Sequence, residues 1–188
     1  GGRRIDLESL SRTIPLWRTD HPEEIIGRQC HTWGIASWVP LNSTGAVNPA
    51  RDSDYVFRSA YSATVAFDLF TGITAVQTEP PAADFPYEVA RRALAQYLDV
   101  QPYFEGDYYP LSCYSQAPDA WMAWQFHRAD LDEGFVQAFR RTQSASEAVT
   151  YSLRGLDPGA LYEVTDLDTE QVRHLTGEQL MTSGLRLE

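Results

Sequence analysis

Residues 87–110 read YEVARRALAQYLDVQPYFEGDYYP, and the fold turns on how their apolar positions are spaced. Through Tyr103 the spacing is helical: Val89, Ala93, Leu94, Tyr97 and Leu98 recur near 3.6 residues, while Glu88, Arg91, Arg92 and Gln96 form a polar face. After Gly106 the period drops toward 2, the alternation of a strand. The pattern predicts an amphipathic helix over 87–103 that packs Val89, Leu94 and Leu98 against the preceding segment, then a change of architecture between Tyr103 and Asp107.

Beyond that change, Asp107–Tyr114, Ala120–Arg128, Phe135–Arg141, Ala148–Leu153 and Leu161–Leu167 read as short strands. Their separators are turn chemistry: Gln116-Ala117-Pro118-Asp119, Asp132-Glu133-Gly134 and Gly155-Leu156-Asp157-Pro158-Gly159. Such close spacing predicts an antiparallel β-sandwich over 105–188, with Trp124, Phe126, Phe135, Phe139, Tyr151, Leu153 and Tyr162 in its core. Trp121 and Trp124, three positions apart on one strand, should face opposite sides. Gly184–Glu188 begins an alternation that stops abruptly, as a truncated last strand would.

Upstream, Asp6 can cap a short helix over Leu7–Arg12, and Thr13–Thr19 (TIPLWRT) has the apolar and β-branched content of a buried strand. Pro22, Glu23 and Glu24 suit a helix N-terminus, and the segment from Ile25 to Trp38 is largely apolar. Asn42–Asp54 reads as a loop, Tyr55–Phe70 resumes an apolar pattern, and Thr78–Pro86 is a second, proline-rich loop. Helix, strand, loop and helix in this order read as half of a β/α repeat array within residues 1–104. The fold class is α+β.

Composition excludes several functions. The 188 residues carry 26 Asp and Glu against 15 basic residues, all Arg, for a net charge of -11, which repels nucleic acid. No run approaches the roughly 20 apolar residues of a spanning helix, so no membrane partner is expected. Cys30 and Cys113 stand far apart without metal-ligand spacing, which favours free thiols and gives no reason to expect a metal or cofactor.

Chemistry in a β/α array resides where a strand ends and its loop begins, which directs attention to Trp17-Arg18-Thr19-Asp20. Asp20 can cap the helix that follows or act as a catalytic carboxylate. Arg18 is a surface charge or a sugar hydrogen-bond donor, and Arg58 suits an ion pair with Asp20, Asp54 or Asp68. Trp17 can stack on a sugar face, whereas Trp33 and Trp38 lie on an apolar segment and are expected in the core. His31, His127 and His174 read as structural, and His21 adjoins Asp20.

Taken together, Gly1-Gly2-Arg3-Arg4-Ile5-Asp6 and Trp17-Arg18-Thr19-Asp20 resemble the "GGGRxD" and "WxSD" segments of the melibiase-type, raffinose-type α-galactosidases. The resemblance continues in family order through His31-Thr32-Trp33-Gly34, Trp38-Val39-Pro40 and Tyr55–Ala60. It extends to Gly106–Leu111, Trp124-Gln125-Phe126, Ala138–Arg141, Leu153–Pro158 and Thr176–Met181. It departs from the pattern at Thr19, where the family has Ser, and at His21-Pro22-Glu23-Glu24.

What the resemblance implies is that residues 1–104 are the last β/α units of an incomplete (β/α)8 barrel, and that the reaction is retaining hydrolysis of terminal α-galactosides by two carboxylates about 5 to 5.5 Å apart. Asp20 falls at the acid/base position, and Gly1, Gly2 and Arg4, with Trp17, at positions that approach the sugar. The family's nucleophile lies in a "KxDxN"-like segment of an earlier strand, and no such segment occurs here. The isolated chain is therefore expected to be inactive unless upstream barrel residues of the same protein complete it, and a homo-oligomer is compatible with the sequence. Two other readings stay open: a non-catalytic carbohydrate-binding or interaction module built on the sandwich, and a galactosyl-transferring relative.

Overall fold

The structure, a computed structural model, describes residues 6, 8, 11–12, 16–18, 24–43, 46–68 and 84–188. It divides into two compact units, Gly1–Glu105 and Gly106–Glu188. The fold is mixed, with helices and parallel strand pairing in the first unit and antiparallel sheets in the second. No described helix is long and apolar enough to cross a membrane.

In the first unit, β1 (Leu16–Trp17) pairs in parallel with β2 (Asn42–Ser43), Leu16 opposite Asn42 and Trp17 opposite Ser43. Helix α1 (Ile25–Ile35) makes the connection, since parallel neighbours need a crossover and not a tight turn. The pattern repeats: Ser43 bridges in parallel to Thr64 and Val47 to Phe67, with α2 (Asp54–Ser59) between. Three successive chain segments thus lie side by side in sequence order.

β2 overturns the expectation of a loop from residue 42. Asn42 and Ser43 are turn-forming types, yet both are buried because their side chains serve as cross-links. Ser43 Oγ donates to the Leu16 carbonyl at 3.1 Å, and Asn42 Nδ2 donates to the Val39 carbonyl at 2.8 Å. Trp38 is a second correction, 87% exposed and not in the core. It sits in the turn after α1, beyond the residues that face inward.

Helix α3 (Tyr87–Val100), followed by a 3₁₀ turn over Gln101–Glu105, packs within the unit through a different stripe from the expected one. Ala93, Tyr97 and Val100 are buried, while Leu94 and Leu98 are 42% and 52% exposed. At about 100° per residue, Leu94 and Leu98 lie a quarter turn or more from the inward line. Hydrogen bonding selects the line: Tyr97 Oη donates to the Ala63 carbonyl at 2.9 Å, and Tyr61 Oη donates to the Ala93 carbonyl at 2.9 Å. The two rings meet at 5.4 Å.

The second unit holds a three-stranded antiparallel sheet of β3 (Asp107–Pro110), β4 (Trp121–Arg128) and β5 (Glu133–Arg140). Two ribbons accompany it: β6 (Val149–Tyr151) with β9 (Leu185–Leu187), and β7 (Leu161–Thr165) with β8 (Val172–Thr176). Helix α4 (Gly177–Thr182) follows β8 through a capping box, in which Gln179 N donates to Thr176 Oγ1 at 3.2 Å and Thr176 N donates to Gln179 Oε1 at 2.9 Å.

The expected single core divides between the two faces of the sheet. Register places Trp124, Phe126, Phe135 and Phe139 on one face, with Phe126 stacked on Phe135 at 5.7 Å and Trp124 tilted against Phe139 at 5.4 Å. The opposite face carries Ala123, Gln125, His127 and Val136, and Val136 packs against a cluster built on Leu153, Leu180 and Leu185, joined by Tyr162. Trp121 and Trp124 do face opposite sides. Gly155 adopts φ +75° beneath this second face, where a Cβ would approach Tyr109 Oη to 2.8 Å.

Candidate functional site

Strand β1 ends in an alternation of environments: Leu16 buried, Trp17 36% exposed, Arg18 buried. Period-2 geometry sends Trp17 to the open side and draws the Arg18 guanidinium inward. Arg18 is therefore not the surface charge that was one of its two sequence readings. Its Nη1 donates to Thr32 Oγ1 at 2.8 Å and to Asn42 Oδ1 at 3.1 Å, and its Nη2 donates to the Arg28 carbonyl at 3.1 Å. One side chain thus joins the end of β1 to α1 and to the first residue of β2.

Other polar side chains extend this network along α1. Arg28 Nη2 donates to the Ala46 carbonyl at 3.0 Å. Gln29 Nε2 donates to Tyr55 Oη at 3.0 Å and to Ser59 Oγ at 3.2 Å, tying α1 to α2. Buried polar groups are costly unless satisfied, which gives each of these hydrogen bonds weight. The inner side of α1, with Arg28, Gln29 and Thr32 all buried, was missed as a polar network. Its trace in the sequence is the interruption of IIGRQCHTWGI by Arg28, Gln29 and Thr32.

Of the anticipated substrate or catalytic residues, Trp17 is described, at the open end of β1. Asp20, Gly1, Gly2 and Arg4 lie outside the described residues, as does His21. Arg58 Nε donates to Gln96 Oε1 at 2.9 Å, and Arg92 pairs with Asp54 at 3.2 Å. Asp54, Phe57, Tyr61, Arg92, Ala93 and Gln96 line a small depression. There burial pushes the Tyr61 phenol up to about 12, a hydroxyl that stays neutral. Nothing in that lining offers a carboxylate pair.

Elsewhere, His127 is buried on β4, His31 is exposed, and exposed His174 faces Glu163 across the β7–β8 ribbon at 3.5 Å. Both cysteines are free, Cys30 buried and Cys113 exposed. Among the described residues no group of His, Cys, Asp and Glu is arranged to hold a metal ion.

Comparison with known proteins adds to this geometry. No curated protein matches the chain. A solved structure, the α-galactosidase from Lactobacillus brevis, is similar in fold with a TM-score of 0.62 at 14% identity, over 88% of this chain and 22% of that one. The chain thus spans about a fifth of that protein's length. Residues 121–188 match the glycosyl hydrolase family 36 C-terminal domain, the stretch that runs from β4 to β9. Residues 121–188 are thus similar to the C-terminal domains of glycosyl hydrolase family 36, in a chain whose fold is similar over most of its length to part of an α-galactosidase.

Proposed function

We propose that this chain is the C-terminal part of a retaining α-galactosidase, supplying the acid/base Asp20 from the loop after β1 while the nucleophile comes from earlier barrel strands. The observation that carries the reading is the likeness to an α-galactosidase over 88% of the chain, in company with the family match of residues 121–188. Parallel neighbours β1, β2 and the Thr64–Phe67 segment support it, because they follow one another in the order of consecutive β/α units.

In this reaction one carboxylate attacks the anomeric carbon and forms a galactosyl-enzyme, while Asp20 protonates the departing glycosidic oxygen. Asp20 then takes a proton from water, which displaces the enzyme carboxylate with a second inversion, so the product keeps the α configuration. Trp17, open at the strand end, is placed to cover an apolar sugar face. Gly1, Gly2 and Arg4 would contact the sugar.

The carbohydrate-binding alternative has less support. A sugar platform needs exposed rings, and Trp124, Phe126 and Phe139 on the β3–β5 sheet are at most 3% exposed. Proton NMR of the longer protein acting on an aryl α-galactoside tests the proposal: α-galactose should appear first. Initial release of β-galactose, or no turnover, would sink it, and added sucrose separates hydrolysis from galactosyl transfer by its products.

A further inference from the structure

We propose that the loops before β4 and after β5, residues 111–120 and 141–148, form a binding surface for neutral saccharides, in addition to the reaction proposed above. Neither loop contains a strand or helix of its own, yet the two are laced together at one end of the β3–β5 sheet. Buried Arg141 donates through Nη1 to the Ser115 and Ala117 carbonyls at 2.9 and 2.7 Å, and Gln143 N donates to the Pro118 carbonyl at 3.1 Å. Trp121 Nε1, at the start of β4, donates to the Ser146 carbonyl at 3.0 Å. Exposed loops held at this many points keep one conformation, which lowers the ordering cost of binding.

Chemistry on this surface suits a sugar. Tyr114 is 48% exposed, unlike the rings that the sheet buries, and Gln116 Nε2 donates to its hydroxyl at 2.6 Å, which sets the ring's direction. Among the described residues the exposed Gln143 side chain makes no hydrogen bond, and Gln116 keeps its Oε1 and one Nε2 hydrogen. Each amide thus offers a donor beside an acceptor. A ring face with such amides is the set that a pyranose requires, being apolar on its face and hydroxylated at its edge. In a chain of net charge -11 these loops carry only Asp119, Arg141 and Glu147 as charged residues, and Arg141 is committed to carbonyls. An ionic ligand finds little to pair with here. A protein partner needs about 800 Å² per side around an apolar centre, for which a single exposed ring is too small.

Native electrophoresis of the 188-residue chain tests this, in gels containing galactomannan, a neutral polysaccharide with α-galactosyl side groups, or a neutral glucan. The net charge of -11 drives the chain while the polysaccharide stays in place, so retardation reads binding. Wild type should be retarded by at least one of the two gels. Tyr114→Ala should weaken that binding about 10-fold, the loss of one ring contact, whereas Tyr114→Phe, which keeps the ring, should stay within about 3-fold. Gln143→Ala should weaken it about 3-fold and carries the test if Tyr114→Ala folds poorly. In the longer protein none of these variants should change kcat/KM for a small aryl α-galactoside, so the surface and the α-galactosidase reading can fail separately. Migration unaffected by either polysaccharide overturns the proposal, as does equal retardation of wild type, Tyr114→Ala and Gln143→Ala. Retardation abolished by Trp17→Ala instead would put the sugar at the end of β1 and overturn it. Self-association without polysaccharide that Tyr114→Ala abolishes would make the surface a protein contact and overturn it too.

Discussion

Gln125 and Arg154 are joined as two strands would be: Gln125 Nε2 donates to the Arg154 carbonyl at 2.8 Å, and Arg154 N donates to Gln125 Oε1 at 2.8 Å. A side-chain amide on β4 thereby satisfies both backbone groups of a loop residue that has no strand partner. Gln125 is buried, so water cannot replace it. Gln125→Leu should destabilise the chain by about 1 to 2 kcal/mol, the cost of losing two part-buried hydrogen bonds, measured by urea unfolding. A loss under about 0.5 kcal/mol would show that the loop is held by other means.

The face of α3 gives a paired test. Tyr97 Oη donates to the Ser62 and Ala63 carbonyls at 3.1 and 2.9 Å, so Tyr97→Phe should cost about 1 to 2 kcal/mol despite keeping the ring. Leu98→Gln, on the exposed side, should stay within about 0.5 kcal/mol in this chain. Reversal of that order would return the helix to the Leu94–Leu98 packing that its periodicity suggested.

These cases indicate what the sequence could carry. β4 and β5 were legible because TrpMetAlaTrpGlnPhe and its partner alternate in sidedness on either side of a turn, although the turn is residues 129–132 and Glu133 and Gly134, expected in it, already belong to β5, paired with Arg128 and His127. β2 was not, because Asn42 and Ser43 have loop character and become strand through contacts with Leu16, Arg18 and Val39 that only the folded chain assembles. α4 had a readable signal in Thr176-Gly177-Glu178-Gln179, a capping box, but the helix is only six residues long and its apolar run is short. Of the candidate site, Trp17 and Asp20 are proposed through motif likeness and residue chemistry, whereas the Arg18 network depends on burial, which periodicity does not report.

Gly177 separates local propensity from tertiary contact. It is the first residue of α4, where alanine would ordinarily favour the helix. A Cβ there would stand 1.9 Å from the Asp157 carbonyl oxygen, a backbone atom that cannot swing aside. Gly177→Ala should therefore destabilise by about 2 kcal/mol or more, as overpacked sites do. Stabilisation in thermal melts would show that the turn at 157–159 yields.

Alkaline pH should unfold the first unit through its tyrosines. Burial raises the Tyr61 and Tyr97 phenols to about 12, from an ordinary value near 10. Between those limits the unfolded chain loses these protons and the folded chain keeps them, so their contribution is complete below about pH 10 and falls away as pH rises toward 12. Urea midpoints across that interval should decline, and the decline should be shallower in Tyr61→Phe, which has one fewer phenol to ionise. An unchanged slope in that variant would mean that Tyr61 ionises equally in both states.

The remaining prediction concerns the chemistry of Asp20 in the longer protein. As general acid it must hold a proton until the leaving oxygen takes it, and as general base it must remove one from water in the second step. Asparagine can do neither, so Asp20→Asn should lower kcat on alkyl galactosides by about 10²- to 10⁴-fold. Galactosylation by an activated aryl substrate needs little protonation and should be much less affected, which leaves deglycosylation as the slow step and lets the galactosyl-enzyme accumulate. Azide, a nucleophile that requires no base, should then raise turnover of the aryl substrate and yield the α-galactosyl azide, since it attacks from the side that water would have used. Rates near wild type on both substrates, without response to azide, would leave Asp20 as a helix cap and move the search for the acid to Glu23 or Glu24.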